Sequence, residues 1–142
     1  MSSYTMGEAR DAVIDHFVAE WAALGFDAAN VLYQNRRSSA PTEEVIWCRY
    51  QMINDNSRKA SLTNANGVAC YERHAFIVIQ LFFPLDGGLD DDTTQSILDV
   101  YEGGVPSISG IWFNDTSARE IGPDNNWFQT NVTTKMMYNQ VK

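Results

Sequence analysis

Residues 68–83 form one long and largely apolar run, and this run leaves the chain little choice of architecture. Its first half alternates, with Glu72 and His74 on one face, as in a strand that has one exposed side. From Ala75 onward both faces are apolar, which is typical of a central strand covered on both sides. Pro84 ends the run. The sequence therefore predicts a sheet built around residues 75–83.

An amphipathic helix is predicted at the start of the chain. Thr5 and Glu8 have capping-box spacing, in which a hydroxyl and a carboxylate bind the first free backbone amides. Gly25 is of the type that ends helices. Apolar residues recur every three or four positions between these ends. The side chains expected to pack on the sheet are Val13, Phe17, Trp21 and Leu24.

Weaker patterns complete the predicted fold. A second helix is expected to begin at Asp91 or Asp92 and to end at Gly103 and Gly104. Further strands are predicted over residues 31–33, 45–53, 108–114 and 127–136. Loops or turns are predicted over residues 35–42, 54–57 and 64–67. Without repeats or a linker, residues 1–142 are expected to form one α+β domain, a mostly antiparallel twisted sheet with two helices packed on it.

The charge balance restricts the partners of such a domain. Eighteen Asp and Glu against ten Lys and Arg give a net charge of −8. An acidic surface repels phosphate, so neither sequence-specific nucleic acid binding nor attachment to an anionic membrane is expected. The first residues lack the basic and then apolar pattern of a secretory signal, and Cys48 and Cys70 are expected to be reduced.

The two histidines carry little catalytic signal. His16 and Glu20 lie one helical turn apart, which suits an acid–base couple but is more typical of a surface contact. His74 lies in a predicted strand, and Cys70 is about 13 Å away along the same face. That is too far for a nucleophilic pair, and no nucleophile motif accompanies either histidine. The sequence therefore favours a protein that is not an enzyme and has no cofactor.

Aspartates form the sharpest charge cluster, at Asp86, Asp90, Asp91 and Asp92. Clustered carboxylates bind Ca²⁺ or Mg²⁺ in some proteins, but the spacing of the calcium-binding EF-hand loop is missing here. Negative charge at the start of a helix is also favourable against the helix dipole. The cluster is thus interpreted first as a helix start, and a small interaction or divalent-metal-binding module remains the alternative.

A series of short motifs runs in a fixed order along nearly the whole chain. A helix with Phe-Val-Ala-Glu-Trp at 17–21 is followed by Val-Leu-Tyr-Gln-Asn at 31–35, Pro-Thr at 41–42 and Trp-Cys-Arg at 47–49. Leu-Phe-Phe-Pro-Leu at 81–85 precedes Gly-Gly at 87–88 and a helix. Gly-Pro-Asp-Asn-Asn-Trp-Phe-Gln-Thr-Asn-Val at 122–132 closes the series. In this order and spacing the chain resembles the tail-terminator-like proteins of bacteriophages, which are similar to the lambda tail terminator. It departs from their pattern at His74-Ala75, where the family has a small glycine-containing stretch, and at Asp90-Asp91-Asp92.

The resemblance implies a structural phage or prophage protein of the virion tail, made in the cytoplasm of the bacterial host. Such proteins cap the completed tail tube as a ring, usually a homohexamer, stop tube polymerisation and take part in head–tail joining. The implied partners are further copies of the chain, the tail tube protein and the head connector protein. A ring of this kind requires a subunit contact that closes on itself.

Loops carry recognition in many proteins, so the candidate subunit or partner contacts are placed in the predicted loops. An acidic loop would also suit a lumen through which DNA slides. The residues proposed on these grounds are Arg36, Arg37, Asp55, Asp86, Asp90, Asp91 and Asp92.

Overall fold

The computed structural model describes residues 3–34, 39–41, 44–59, 69–85, 90–102, 108–124 and 126–142. Two helices and five strands make up the described part of the chain. In chain order they are α1 (Met6–Ala23), β1 (Val31–Tyr33), β2 (Trp47–Lys59), β3 (Cys70–Pro84), α2 (Asp91–Glu102), β4 (Ile111–Asp124) and β5 (Trp127–Val141).

The five strands form one sheet in the order β1-β2-β3-β5-β4. β1 pairs with β2 in parallel, and the other three pairings are antiparallel. β3 lies at the centre and pairs with β5 over its full length, from Cys70 opposite Val141 to Pro84 opposite Trp127. The predicted mostly antiparallel α+β fold around residues 75–83 is therefore confirmed.

Both helices pack on the same face of the sheet. The core that they close contains residues of α1 and α2 together with the inward side chains of all five strands. β3 contributes every second residue to it, namely Ala75, Ile77, Ile79, Leu81 and Phe83. The side chains between these, Phe76, Val78 and Gln80, are only half-buried. The prediction that both faces of β3 are covered is thus wrong for most of the strand, because no described helix packs on the second face.

α1 follows the prediction except at its end. The Glu8 amide donates to Thr5 Oγ1 over 3.1 Å and the Thr5 amide donates to Glu8 Oε1 over 2.9 Å, which completes the capping box. The buried stripe of the helix is Ala9, Val13, Phe17 and Trp21. Leu24 was expected in this stripe but is 38% exposed, since the helix ends there and Gly25 turns the backbone away at φ +91°.

Several boundaries differ from the sequence prediction, and β5 runs five residues past its predicted end, to Val141. The turn predicted over residues 54–57 is wrong, because β2 continues through them and accommodates a bulge between Asn54 and Ser57. The start of α2 is capped by Asp90 rather than by Asp91 or Asp92, since its carboxylate accepts from the Thr93 amide over 3.0 Å. β4 runs ten residues past its predicted end, through residues 115–124. The loop predicted at 64–67 lies outside the described residues.

No helix in the described part of the chain is both long enough and apolar enough to cross a membrane.

The two cysteines differ in accessibility, which gives a first test of the packing. Cys48 is fully buried in the core and burial raises the pKa of its thiol, whereas Cys70 is half-buried near the start of β3. Since the thiolate is the reactive form, we expect a thiol reagent such as Ellman's reagent to label Cys70 in the native protein and Cys48 only after unfolding. The measurement is the labelling time course with and without denaturant, with Cys48→Ser as control. Equal labelling rates in native buffer would contradict the placement of Cys48.

Candidate functional site

Among the described residues, no helix covers the side of the sheet that faces away from α1 and α2. Because side chains alternate along a strand, the pairing register of the strands shows which residues lie on this side of the sheet. We call this surface the open face. Its residues are Trp47, Arg49, Gln51, Ile53, Glu72, His74, Phe76, Val78, Gln80, Phe82, Trp112, Asn114, Ser117, Arg119, Trp127, Gln129, Asn131, Thr133, Lys135, Met137 and Asn139.

Polar side chains on the open face bind one another across the strands. Arg49 Nη1 donates to Gln80 Oε1 over 3.4 Å. The hydroxyls of Ser117 and Thr133 lie 3.3 Å apart. Lys135 Nζ lies 3.3 Å from a carboxylate oxygen of Asp115, at a side-chain exposure of 53%. These contacts hold the polar groups in place but leave them accessible to a partner.

One end of the open face is closed by its own aromatic rings. Trp47 stacks on Phe82 with ring centroids 4.0 Å apart and the planes 8° from parallel, and the Trp127 ring meets Trp47 edge-on at 5.8 Å. The Arg49 guanidinium lies 5.8 Å from the Trp47 ring centre. Trp47 is consequently 3% exposed. This cluster stabilises the sheet and leaves little apolar surface free at that end.

The other end of the open face exposes large apolar side chains. Ile53 is 48% exposed and pairs with Phe76 across β2 and β3. Trp112 is 41% exposed and pairs with Met137 across β4 and β5. Aromatic and long apolar side chains on a polar background are typical of protein–protein contact surfaces.

The opposite side of the molecule is strongly acidic. We call residues 5–24 and 90–102, which contain α1 and α2, the helical layer. It carries nine carboxylates, namely Glu8, Asp11, Asp15, Glu20, Asp90, Asp91, Asp92, Asp99 and Glu102. Its one Lys or Arg is Arg10, whose Nη2 donates to the Met52 carbonyl oxygen over 3.1 Å. The helical layer therefore has a formal charge of −8, which equals the net charge of the whole chain.

The structure places the predicted contact residues on different elements. Asp90 is occupied as the cap of α2, where hydrogen bonds from Thr93 hold the pKa of its carboxyl below the usual range. Asp91 and Asp92 are exposed in the first turn of α2, and Asp55 is exposed in the bulged part of β2 rather than in a loop. The predicted residues Arg36, Arg37 and Asp86 lie outside the described part of the chain.

Each histidine has an acidic neighbour. His74 Nε2 lies 2.8 Å from Glu72 Oε1, so these two side chains, two residues apart on β3, form a local pair. His16 Nε2 lies 3.9 Å from Glu20 Oε1, and its ring is 6.4 Å from the ring of Tyr101. Among the described residues, no group of three or more His, Cys, Asp or Glu is placed to hold a metal ion.

His16 gives the protein a predicted pH dependence. Its side chain is 15% exposed, and burial lowers the pKa of the ring from 6.5 despite the opposing effect of Glu20. The unfolded chain therefore binds a proton more readily than the folded one, and stability is lost as the pH falls through 6.5. We expect His16→Gln to lose less stability than the wild type as the pH falls through 6.5. The measurement is urea denaturation at a series of pH values. Parallel curves for the two proteins would contradict a buried neutral His16.

The sequence pointed to loops, whereas the structure presents a sheet face. The alternation in β2 already separates Arg49 and Gln51 from Cys48 and Tyr50, and the same period in β5 separates Lys135 from Met136. That alternation is the signal from which an uncovered face could have been inferred. The apolar residues of β3 masked it, because they suggested coverage on both sides.

Comparison with known proteins supports the architecture. No protein-family model matches the chain, and no curated protein matches it. Eleven chains of solved structures match its fold. One of these, which carries only a sequence label as its name, has a TM-score of 0.59 at 15% identity and covers 91% of this chain and 94% of its own length. At 15% identity, this similarity establishes only the fold, which is a single α+β domain.

Proposed function

We propose that this chain is a structural subunit that associates with further copies of itself into a ring and caps a phage tail tube. The observation that carries the proposal is the open face, which exposes Trp112 and Ile53 on a rigid sheet while the other face is covered by helices. The order of sequence motifs described above supplies the tail-terminator assignment. The role needs surfaces rather than a reaction centre.

The open face is large enough for a stable subunit contact. β3 and β5 pair over 15 residues. At about 3.4 Å per residue and about 4.8 Å per strand, four strands make a surface roughly 50 Å long and 15–20 Å wide. This is on the order of 800 Å², similar to what one partner buries in a typical stable protein–protein interface, also about 800 Å².

In the proposed role the ring forms on the end of a finished tube, where it stops addition of tail tube protein and presents a surface to the head connector. The acidic residues Asp91 and Asp92 are exposed at the start of α2. They suit either a subunit seam or a surface close to passing DNA, where carboxylates do not retain phosphate. The protein would then act in the virion tail after synthesis in the host cytoplasm.

The test of the proposal begins with native mass spectrometry over a concentration series, with and without Mg²⁺. We expect a hexamer, or an equilibrium between monomer and hexamer. If the protein is monomeric alone, it is added to purified tail tubes of the phage that encodes it, with further tube protein present. Tubes that stop growing and carry a terminal ring in electron micrographs support the role. Tubes that lengthen as in buffer alone refute it, and stoichiometric Mg²⁺ uptake by the monomer favours the metal-binding alternative.

A further inference from the structure

We propose that the open face of one copy binds the helical layer of the next copy. The inference rests on the proposed ring and names the two surfaces that meet at its seam. Each subunit would contribute one surface of each kind to two neighbours. Such a head-to-tail contact forms a closed ring when a whole number of equal rotations between neighbours adds up to a full turn.

Charge favours this pairing over the two symmetric ones. The helical layer carries nine carboxylates against Arg10. The open face presents Arg49, Arg119 and Lys135. Its carboxylate Glu72 contacts His74, and the nearby Asp115 contacts Lys135. Two helical layers placed together would repel strongly. An open face against a helical layer brings opposite charges together and sets the orientation of the contact.

The free edges of the sheet favour the same conclusion. β1 has only three residues, so it offers few backbone groups to a neighbouring strand. β4 is long, but its edge is interrupted by bulges between Asn114 and Ser117 and between Glu120 and Gly122. Asp115 has φ +52°, and Pro123 lacks an amide donor. Bulges and proline on an edge strand disfavour edge-to-edge pairing, which leaves the faces for assembly.

A charge-swap experiment tests the seam directly. Variant A carries Arg119→Glu and Lys135→Glu on the open face, and variant B carries Asp11→Lys and Asp15→Lys on α1. All four side chains are exposed, so both variants are expected to fold. Each variant alone would bring like charges together at the seam. In a mixture, every contact between A and B joins opposite charges again.

We expect each variant alone to associate at least tenfold more weakly than the wild type in native mass spectrometry at low salt. An equimolar mixture is expected to regain assembly, with equal numbers of A and B in each ring. A control with Glu44→Lys and Lys142→Glu, exposed positions outside both surfaces, keeps the net charge and is expected to assemble as the wild type does. If the wild type assembles only on tail tubes, the same samples are added to tail tubes. The fraction of tube ends that carry a ring is then compared.

The outcomes separate this inference from the proposed function. Variants that assemble like the wild type, or a mixture of folded A and B that stays monomeric, would overturn the assigned seam while leaving a ring-forming wild type intact. A wild type that assembles neither alone nor on tubes would overturn the proposed function, and the seam with it. Circular dichroism and thermal unfolding establish that both variants are folded before either conclusion is drawn.

Discussion

Replacing Phe17 by alanine is expected to lower the free energy of unfolding by about 3–5 kcal/mol. Phe17 is fully buried at the middle of α1. Its ring centre lies 5.0 Å from that of Tyr50 on β2 and 5.9 Å from that of Trp21. Removing the ring leaves a cavity between helix and sheet, and the close-packed surroundings relax only partly. The measurement is the urea or guanidinium midpoint, followed by circular dichroism.

A matched control lies on the same helix. Leu24→Ala removes a side chain of similar type that is 38% exposed at the C-terminal cap, so we expect a loss of at most about 1 kcal/mol. Both variants should keep the slope of the denaturation curve, because the surface exposed on unfolding hardly changes. A Phe17→Ala midpoint equal to that of the wild type would remove Phe17 from the core and with it the placement of α1.

The start of α1 could be predicted from sequence because its signals are local. Thr5 and Glu8 form their capping contacts within one turn, and the buried stripe follows the helical period. The prediction fails at Leu24 for an equally local reason. The helix ends before its side chain can reach the sheet, and periodicity alone does not give the last residue of a helix.

Tertiary pairing overrides local turn signals in β2. Asn54, Asp55 and Asn56 are residue types that favour turns, yet β2 stays extended through them because β3 continues alongside and pairs with it. Residues 115–124 of β4 escaped prediction for a related reason. They form an exposed edge with Gly122 and Pro123, whose composition resembles a loop, and only the partner β5 makes them a strand.

The candidate site was the part of the molecule that was hardest to predict from the sequence. Whether a sheet face is covered depends on where the helices pack, and the pattern within one strand does not contain that information. Phe76, Val78 and Phe82 are apolar residues of β3 on the open face, but of these three only Phe82 is buried, beneath the ring of Trp47. The charges that distinguish the open face from the helical layer come from six elements that are distant in sequence.

Replacing Trp112 by alanine is expected to separate assembly from stability. Trp112 is 41% exposed at the apolar end of the open face, beside Met137. More than half of the ring still packs on the sheet, so the free energy of unfolding should fall by about 1–2 kcal/mol, clearly less than for Phe17→Ala. At a subunit seam the same ring becomes buried, and its loss is expected to weaken association by about 2 kcal/mol, roughly thirtyfold.

The control for this prediction is Leu85→Ala. Leu85 is 43% exposed and follows β3 at the opposite end of the sheet, outside the open face. We expect this variant to match the wild type both in denaturation and in association, measured by native mass spectrometry over a dilution series. If Trp112→Ala and Leu85→Ala associate equally well, the apolar end of the open face does not lie in the seam. If Trp112→Ala instead loses as much stability as Phe17→Ala and associates like the wild type, the ring serves the fold of a single copy rather than the contact between copies.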